Sequence, residues 1–212
     1  DAEGVVALDA RVAVRRYERP TGRFANPRMA IRPYPVEWER TLTTQKGRRV
    51  KVRPVRPEDA RLYEQAYPHM SKEDLRLRLL APLKEYNPGL VARLTQIDYA
   101  RAMAFVALDA ATGELIGVVR LHADANHHAA DYAILLRSDV KGEGLGLALM
   151  KLIIEYAVAD GLDWIYGEVL RENMPMLSLA RSLGFTVTFD AEQPDIATVR
   201  LDLKALRSAS GG

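Results

Sequence analysis

The 212-residue chain contains no cysteine, which excludes disulfides, thiol nucleophiles and cysteine-ligated zinc. It has no apolar run approaching the roughly 20 residues of a helical membrane span, and no signal-peptide pattern opens it. Charge of one sign is missing too. Against 28 acidic residues stand 30 basic ones, and a net charge of +2 argues against a nucleic-acid binder driven by counterion release. The four histidines, His69, His122, His127 and His128, fall into no ligand spacing such as His-Glu-x-x-His, so no metal is expected and His127-His128 reads as a hairpin tip. What is present is 48% hydrophobic residues, enough to bury a core. The expectation is a globular cytoplasmic protein that engages neither membrane nor nucleic acid.

Along the chain, residues 1–36 read as a tail and linker: one short apolar strand, Val5 to Leu8, then a Pro-, Arg- and Gly-rich tract from Arg15 to Pro35. Asp1 is not a translation start, so a longer parent chain is expected. From residue 37 the pattern becomes that of a domain ending near 205, with 206–212 a flexible tail. Trp38 to Thr43 and Arg49 to Val55 form a hairpin around Gln45-Lys46-Gly47. Arg56 to Ala60 opens a helix, Ser71 with Asp74 caps a second, and Pro88 to Ile97 suggests a third. Ala102 to Leu108 and Leu115 to His122 flank Ala111-Thr112-Gly113 as another hairpin, followed by a strand at Asp131 to Leu136. Leu145 to Asp160 carries apolar residues at 145, 149, 152, 153 and 156, a helical stripe that stops at Gly161. Trp164 to Val169, Met174 to Ser182, Thr186 to Phe189 and Thr198 to Leu203 complete the order as strand, helix, strand, strand. This alternation implies an α/β fold, a mixed sheet with helices on both faces.

Between the strand ending at Leu136 and the helix starting near Leu147 lies Lys141-Gly142-Glu143-Gly144-Leu145-Gly146. Glycines let consecutive backbone N–H groups turn toward an anion, and the helix N-terminus adds partial positive charge. A branched side chain at Gly144 is expected to occupy the anion's place. A nucleotide P-loop requires Gly-x-x-x-x-Gly-Lys-Ser/Thr, but Gly146 is followed by Leu147-Ala148. A Rossmann fingerprint requires Gly-x-Gly-x-x-Gly, whereas these glycines alternate. By itself the segment is also compatible with a plain strand-to-helix turn.

The spacing resembles motif A of the GCN5-related N-acetyltransferases (GNAT), Gln/Arg-x-x-Gly-x-Gly/Ala, with Lys141, Gly144 and Gly146 at the specified positions. Leu90 to Tyr99 followed by Met103-Ala104-Phe105-Val106-Ala107, together with Arg76-Leu77-Arg78, resembles the Pat-type protein lysine acetyltransferases, and Gly4 to Arg11 resembles the closing strand of an NDP-forming acyl-CoA synthetase. The resemblance spans about residues 37–203. It implies a GNAT fold, a mostly antiparallel sheet whose central strands, Tyr132 to Leu136 and Trp164 to Val169, splay apart to admit the pantetheine arm of acetyl-CoA. It implies donor contacts at Ile134, Leu135 and Leu136, at Lys141, Gly142, Glu143, Gly144, Leu145, Gly146 and Leu147, and at Asn173 and Met176. It also implies an acyl-CoA-synthetase-like domain upstream in the same chain, and AMP-forming acyl-CoA synthetases as protein substrates that lose activity when a lysine is acetylated.

A free lysine, with a pKa near 10.4, is almost wholly protonated at neutral pH, so attack on a thioester needs a base. Relatives carry glutamate in an Ala-Glu-Phe-Ala-like context; here the stretch is Ala130-Asp131-Tyr132-Ala133, which makes Asp131 the first candidate. Glu168 on the opposite strand is the second, with Asp124 and Glu114 behind. A solvated strand-end aspartate and a plain surface glutamate are the alternative readings, and for Asn173 a helix cap. Four residues before Gly184-Phe185, where the wider superfamily often has an acidic tyrosine, this chain has Ala180. A non-catalytic acyl-CoA sensor and a small-amine acetyltransferase stand as the other functional classes.

Overall fold

The structure, a computed structural model, describes residues 32–80 and 87–206. The expected tail and linker lie almost wholly outside the described residues, as do the synthetase-like segment at residues 4–11 and the C-terminal tail from 207. Strands β1 (Arg40–Thr43) and β2 (Arg49–Pro54) pair antiparallel around a turn in which Gly47 adopts φ +83°. The expected strand start at Trp38 is corrected. Val36–Trp38 is a 3-10 turn, and it delivers the Trp38 indole edge-on to Tyr156, 5.1 Å between centroids.

Three short helices follow: α1 (Ala60–Ala66), α2 (Lys72–Leu79) and α3 (Pro88–Thr95). The cap read from sequence at Ser71 is in place, its Oγ accepting from the Asp74 amide at 3.0 Å. The structure adds one at Asn87, whose Oδ1 accepts from the Leu90 amide at 3.1 Å ahead of Pro88. The rest alternates as β3 (Ala102–Asp109), β4 (Leu115–Ala123), β5 (Ala129–Leu136), α4 (Leu145–Ala159), β6 (Trp164–Leu170), α5 (Met174–Ser182), β7 (Thr186–Phe189) and β8 (Ile196–Asp202). The turn between β4 and β5 holds His127 at φ +58°, the expected hairpin tip.

All eight strands form one sheet in the order β1-β2-β3-β4-β5-β6-β8-β7, antiparallel throughout except for β5 against β6. Period-2 alternation divides its residues between two cores. Val119 and Leu121 join α4 and α5 in the main core with Leu149, Ile153 and Leu177, while Val118, with Ala104 and Val106, joins Ala66 of α1 in a smaller one. Every residue of the stripe at 145, 149, 152, 153 and 156 is buried in the main core. No described helix is long and apolar enough to cross a membrane.

Strands β5 and β6 diverge. They pair only at Ala129↔Trp164, Ala130↔Ile165 and Asp131↔Tyr166, after which β5 stays with β4 as far as Leu136 and β6 stays with β8 as far as Leu170. At the fork, Tyr132 lies against Gly167, where an added Cβ would stand 3.0 Å from the Tyr132 ring and 3.2 Å from its carbonyl oxygen. The glycine lets the tyrosine wedge between the strands.

Candidate active site

The divergence opens a cleft of about 800 Å3, within the range typical of ligand sites. One wall is the outer half of β5, Ile134, Leu135 and Leu136, whose edge toward β6 lacks a strand partner. Lys141, Gly142, Gly144, Gly146 and Leu147 form the end wall, and Asn173 and Met176 at the start of α5 form the other side. The first turn of α4 directs the amides of Leu145, Gly146 and Leu147 outward without intrahelical acceptors, as helix geometry requires. A strand edge beside a helix N-terminus suits an extended amide-bearing arm ending in a pyrophosphate.

Two residues expected on the donor, Glu143 and Leu145, do not line the cleft with their side chains. Leu145 is 2% exposed and packs in the main core, because it sits one turn ahead of Leu149 on the inward stripe of α4. The Glu143 carboxylate, 4% exposed, turns to the back of the loop. There it accepts from Arg48 Nε at 3.1 Å and Thr44 Oγ1 at 3.2 Å, and Arg48 also holds Asp109 at 2.6 Å. With the Gln45 amide donating to the Glu143 carbonyl at 2.9 Å, the β1–β2 turn braces the glycine loop from behind. The expectation for Gly144 changes accordingly. Its φ is +81°, and a Cβ there would meet the Gln45 side chain at 3.0 Å, so a larger residue distorts the loop from its rear.

Helix α2 ties both lips of the cleft. On the loop side the Ser71 amide donates to Ser138 Oγ at 2.9 Å, Ser138 Oγ donates to Asp74 Oδ2 at 2.6 Å, and Lys141 pairs with Asp74. Burial pushes the Asp74 carboxyl up, but its bonds from Lys141, Ser138 and Ser71 outweigh that and leave it below the usual carboxylate range. On the far lip Arg76 reaches Glu172 at 2.5 Å. No sequence pattern marked Ser138 or Glu172, and Asp74 reads from sequence only as part of the α2 start, because these pairings depend on loops that meet only after folding.

Asp131 and Glu168 both line the cleft near the fork, one from each diverging strand. Asp131 is exposed to the cleft, but the protein packed around its carboxyl raises it above its ordinary value, against the pull of Arg78 and Arg120, and the neighbouring Glu168 raises it further. Such a carboxylate holds a proton more readily than a surface aspartate, which suits a general base. The weaker candidates are engaged elsewhere. Glu114 accepts from Arg137 at 2.8 Å, and Asp124 accepts from the His128 amide at 2.9 Å within the hairpin tip. Asn173 caps α5, accepting from the Met176 amide at 3.2 Å, while still lining the cleft, so the capping and cleft readings coexist. Ala180 is fully buried, and α5 offers no acid there.

Comparison with known proteins agrees with this geometry. Residues 49–186 match the model of the acetyltransferase (GNAT) domain family. The chain is 33% identical over 159 residues to an acetyltransferase of Pseudomonas aeruginosa, covering 74% of this chain and 86% of that protein. It superposes on the GNAT domain of S. lividans PAT with a TM-score of 0.74 at 26% identity, covering 80% of this chain and 99% of that one. A shorter match, 30% identical over 87 residues, is to an L-methionine sulfoximine/L-methionine sulfone acetyltransferase of P. aeruginosa, and it covers 37% of this chain and 51% of that protein. The chain belongs to the GNAT acetyltransferases, enzymes that use acetyl-CoA as donor.

Proposed function

We propose that the chain is a protein lysine N-acetyltransferase that moves the acetyl group of acetyl-CoA to the ε-amine of a lysine on AMP-forming acyl-CoA synthetases, switching them off. The observation carrying this reading is the placement of Asp131 at the fork of the strands, on the sheet face covered by α1–α3, with a raised proton affinity, beside a cleft of donor size. The likeness to the GNAT domain of S. lividans PAT over nearly all of that domain supports it.

The residues present fit the donor. The unpartnered edge of β5 offers backbone donors and acceptors for the pantetheine arm, the α4 N-terminus and Lys141 suit the pyrophosphate, and Asn173 with Met176 bounds the other side. Bound there, acetyl-CoA supplies an activated acetyl thioester. Asp131, aided by Glu168, takes a proton from the acceptor ammonium, and the freed amine forms the N–C bond as the C–S bond breaks. Backbone amides around Leu135 and Leu136 polarise the thioester carbonyl. The departing thiolate is a weak base, so the absence of an acid at Ala180 costs little.

A second reading, a small-amine acetyltransferase, is favoured by the shorter match to the methionine sulfoximine enzyme. Labelled acetyl-CoA offered to a purified AMP-forming acetyl-CoA synthetase, in parallel with methionine sulfone, separates the two. Label on a synthetase lysine with loss of synthetase activity is the expected result. Label on methionine sulfone alone would select the second reading, and donor binding without transfer to either would indicate a sensor.

A further inference from the structure

The cleft has a side chamber. Between α1, α2, α3 and the β4–β5 face lies a cavity of about 140 Å3 that shares Arg78, Ala133 and Leu135 with the cleft. Its walls are largely apolar, with Met70, Leu75 and Leu90 among them. Besides Tyr67 and the α3-capping Asn87, three polar groups stand out against that lining. The Tyr63 hydroxyl is buried and has no hydrogen-bond partner among the described residues. Arg78 and Arg120 both line the cavity, and among the described residues neither has an acid within ion-pairing distance.

Local structure explains how they arrive there. Arg78 follows Leu75 by three positions and Asp74 by four, so it belongs to the buried face of α2 instead of its solvent face. Arg120 alternates with Val119, which faces the main core, and stands opposite Ala133 on β5. Burial, with Arg120 as a like-charged neighbour, pulls the Arg78 guanidinium down to about 10, still charged at neutral pH. The groups that act on it are Arg120, Asp131 and Tyr63. Asp131 faces it from the cleft.

An unpartnered buried hydroxyl is destabilising, and two like charges against apolar walls add to that cost. One carboxylate relieves all three groups: it accepts from both guanidinium groups and from the tyrosine hydroxyl. The volume admits a carboxylate on a short aliphatic stem and little else. We infer that this chamber reads a carboxylate carried by the acceptor, a short aliphatic stem away from the amine that meets Asp131. The inference rests on the assignment of the cleft as the transfer site and deepens it: the favoured lysine has an acidic side chain beside it. A free amino acid is the other possible source of the same group.

The test uses the whole chain and begins with binding, which does not depend on turnover. Butyrate, titrated calorimetrically, is expected to bind saturably while butyramide does not. Tyr63→Phe and Arg120→Gln should each weaken butyrate by about fivefold or more, since each removes a bond to a charged group. Without ligand, Tyr63→Phe should melt no lower than wild type, because it deletes only an unsatisfied hydroxyl; a purely structural tyrosine would lower it. In the transfer arm, a lysine peptide with a neighbouring Glu should show a KM about tenfold below its Gln counterpart, and the gap should close in Arg120→Gln. If butyrate binds and norvaline is acetylated while no peptide is, the chamber stands, its carboxylate comes from a free amino acid, and the lysine reading falls. If butyrate fails to bind wild type, or binds both variants as well as wild type, the inference is overturned.

Discussion

The two faces of the sheet are built for different work. On the α4–α5 face, Leu149, Met150, Ile153 and Ala157 are fully buried against strand residues such as Phe105, Val119 and Ile165, and this core is continuous. On the α1–α3 face the buried apolar set is small, the helices are short, and Arg78, Arg120, Asp131 and Glu168 are left around the cleft and its side chamber. The first face fixes the geometry of the fork and the start of α4, where the proposed function puts the donor. The second gives up packing for charged groups that the same proposal turns toward the acceptor. On that reading stability and selectivity are separable in this fold, since the residues that set each are on opposite sides of one strand pair.

The largest expected effect belongs to the packed face. Ile153→Ala should cost about 2–5 kcal/mol in chemical denaturation, because the methyl groups leave a cavity in a region with no freedom to collapse. A loss under 1 kcal/mol would mean that this core is not the dominant one. Next comes the loop that joins the faces. Gly144→Val forces a branched residue into φ +81° against Gln45, and strain of about 1–3 kcal/mol should appear as weaker acetyl-CoA binding by calorimetry. Unchanged affinity would remove the glycine loop from the donor site.

Lys141→Gln should have a smaller effect. The ammonium is half exposed and already shared with Asp74, so donor affinity should fall only a few-fold, and added salt should narrow the difference. The smallest effect is at the hairpin tip. A hydrogen bond to Asp160 raises His127 above its ordinary 6.5. A raised histidine contributes stability that is complete below pH 6.5 and is lost as pH rises through the folded value. Replacing His127 with Gln should therefore lower the melting temperature at pH 5.5 and leave it unchanged at pH 9. An equal drop at both would point to packing instead.

Much of this was legible in the chain because local rules suffice for it. The stripe at 145, 149, 152, 153 and 156 predicts α4 and its buried face, Ser71 predicts the start of α2, and the alternating glycines predict the loop. Asp131 is a candidate through the resemblance of Ala130-Asp131-Tyr132-Ala133 to its relatives, and Glu168 through its place on the opposite strand; both line the cleft. Tertiary partnerships were not legible. Glu143 reads as a loop residue until Arg48, 95 positions away, draws it to the rear. Trp38 reads as strand until its indole docks on Tyr156. The inward placement of Arg78 could have been read from its spacing to Leu75, a signal obscured by the alternating Leu-Arg run at 75–79, which mimics a strand. The side chamber, made where three helices meet a sheet, has no sequence signature.

The division of labour is tested most directly by the pH–rate profile of single-turnover acetyl transfer in wild type and Asp131→Asn, with acetyl-CoA affinity measured alongside. Asp131 lies on the α1–α3 face and outside the glycine loop, so donor affinity should stay within about twofold of wild type. Turnover at pH 7 should fall roughly tenfold or more, as expected for loss of a general base, and recover in part as higher pH deprotonates the acceptor amine. Equal rates across the profile, or a matching loss of donor affinity, would contradict the account.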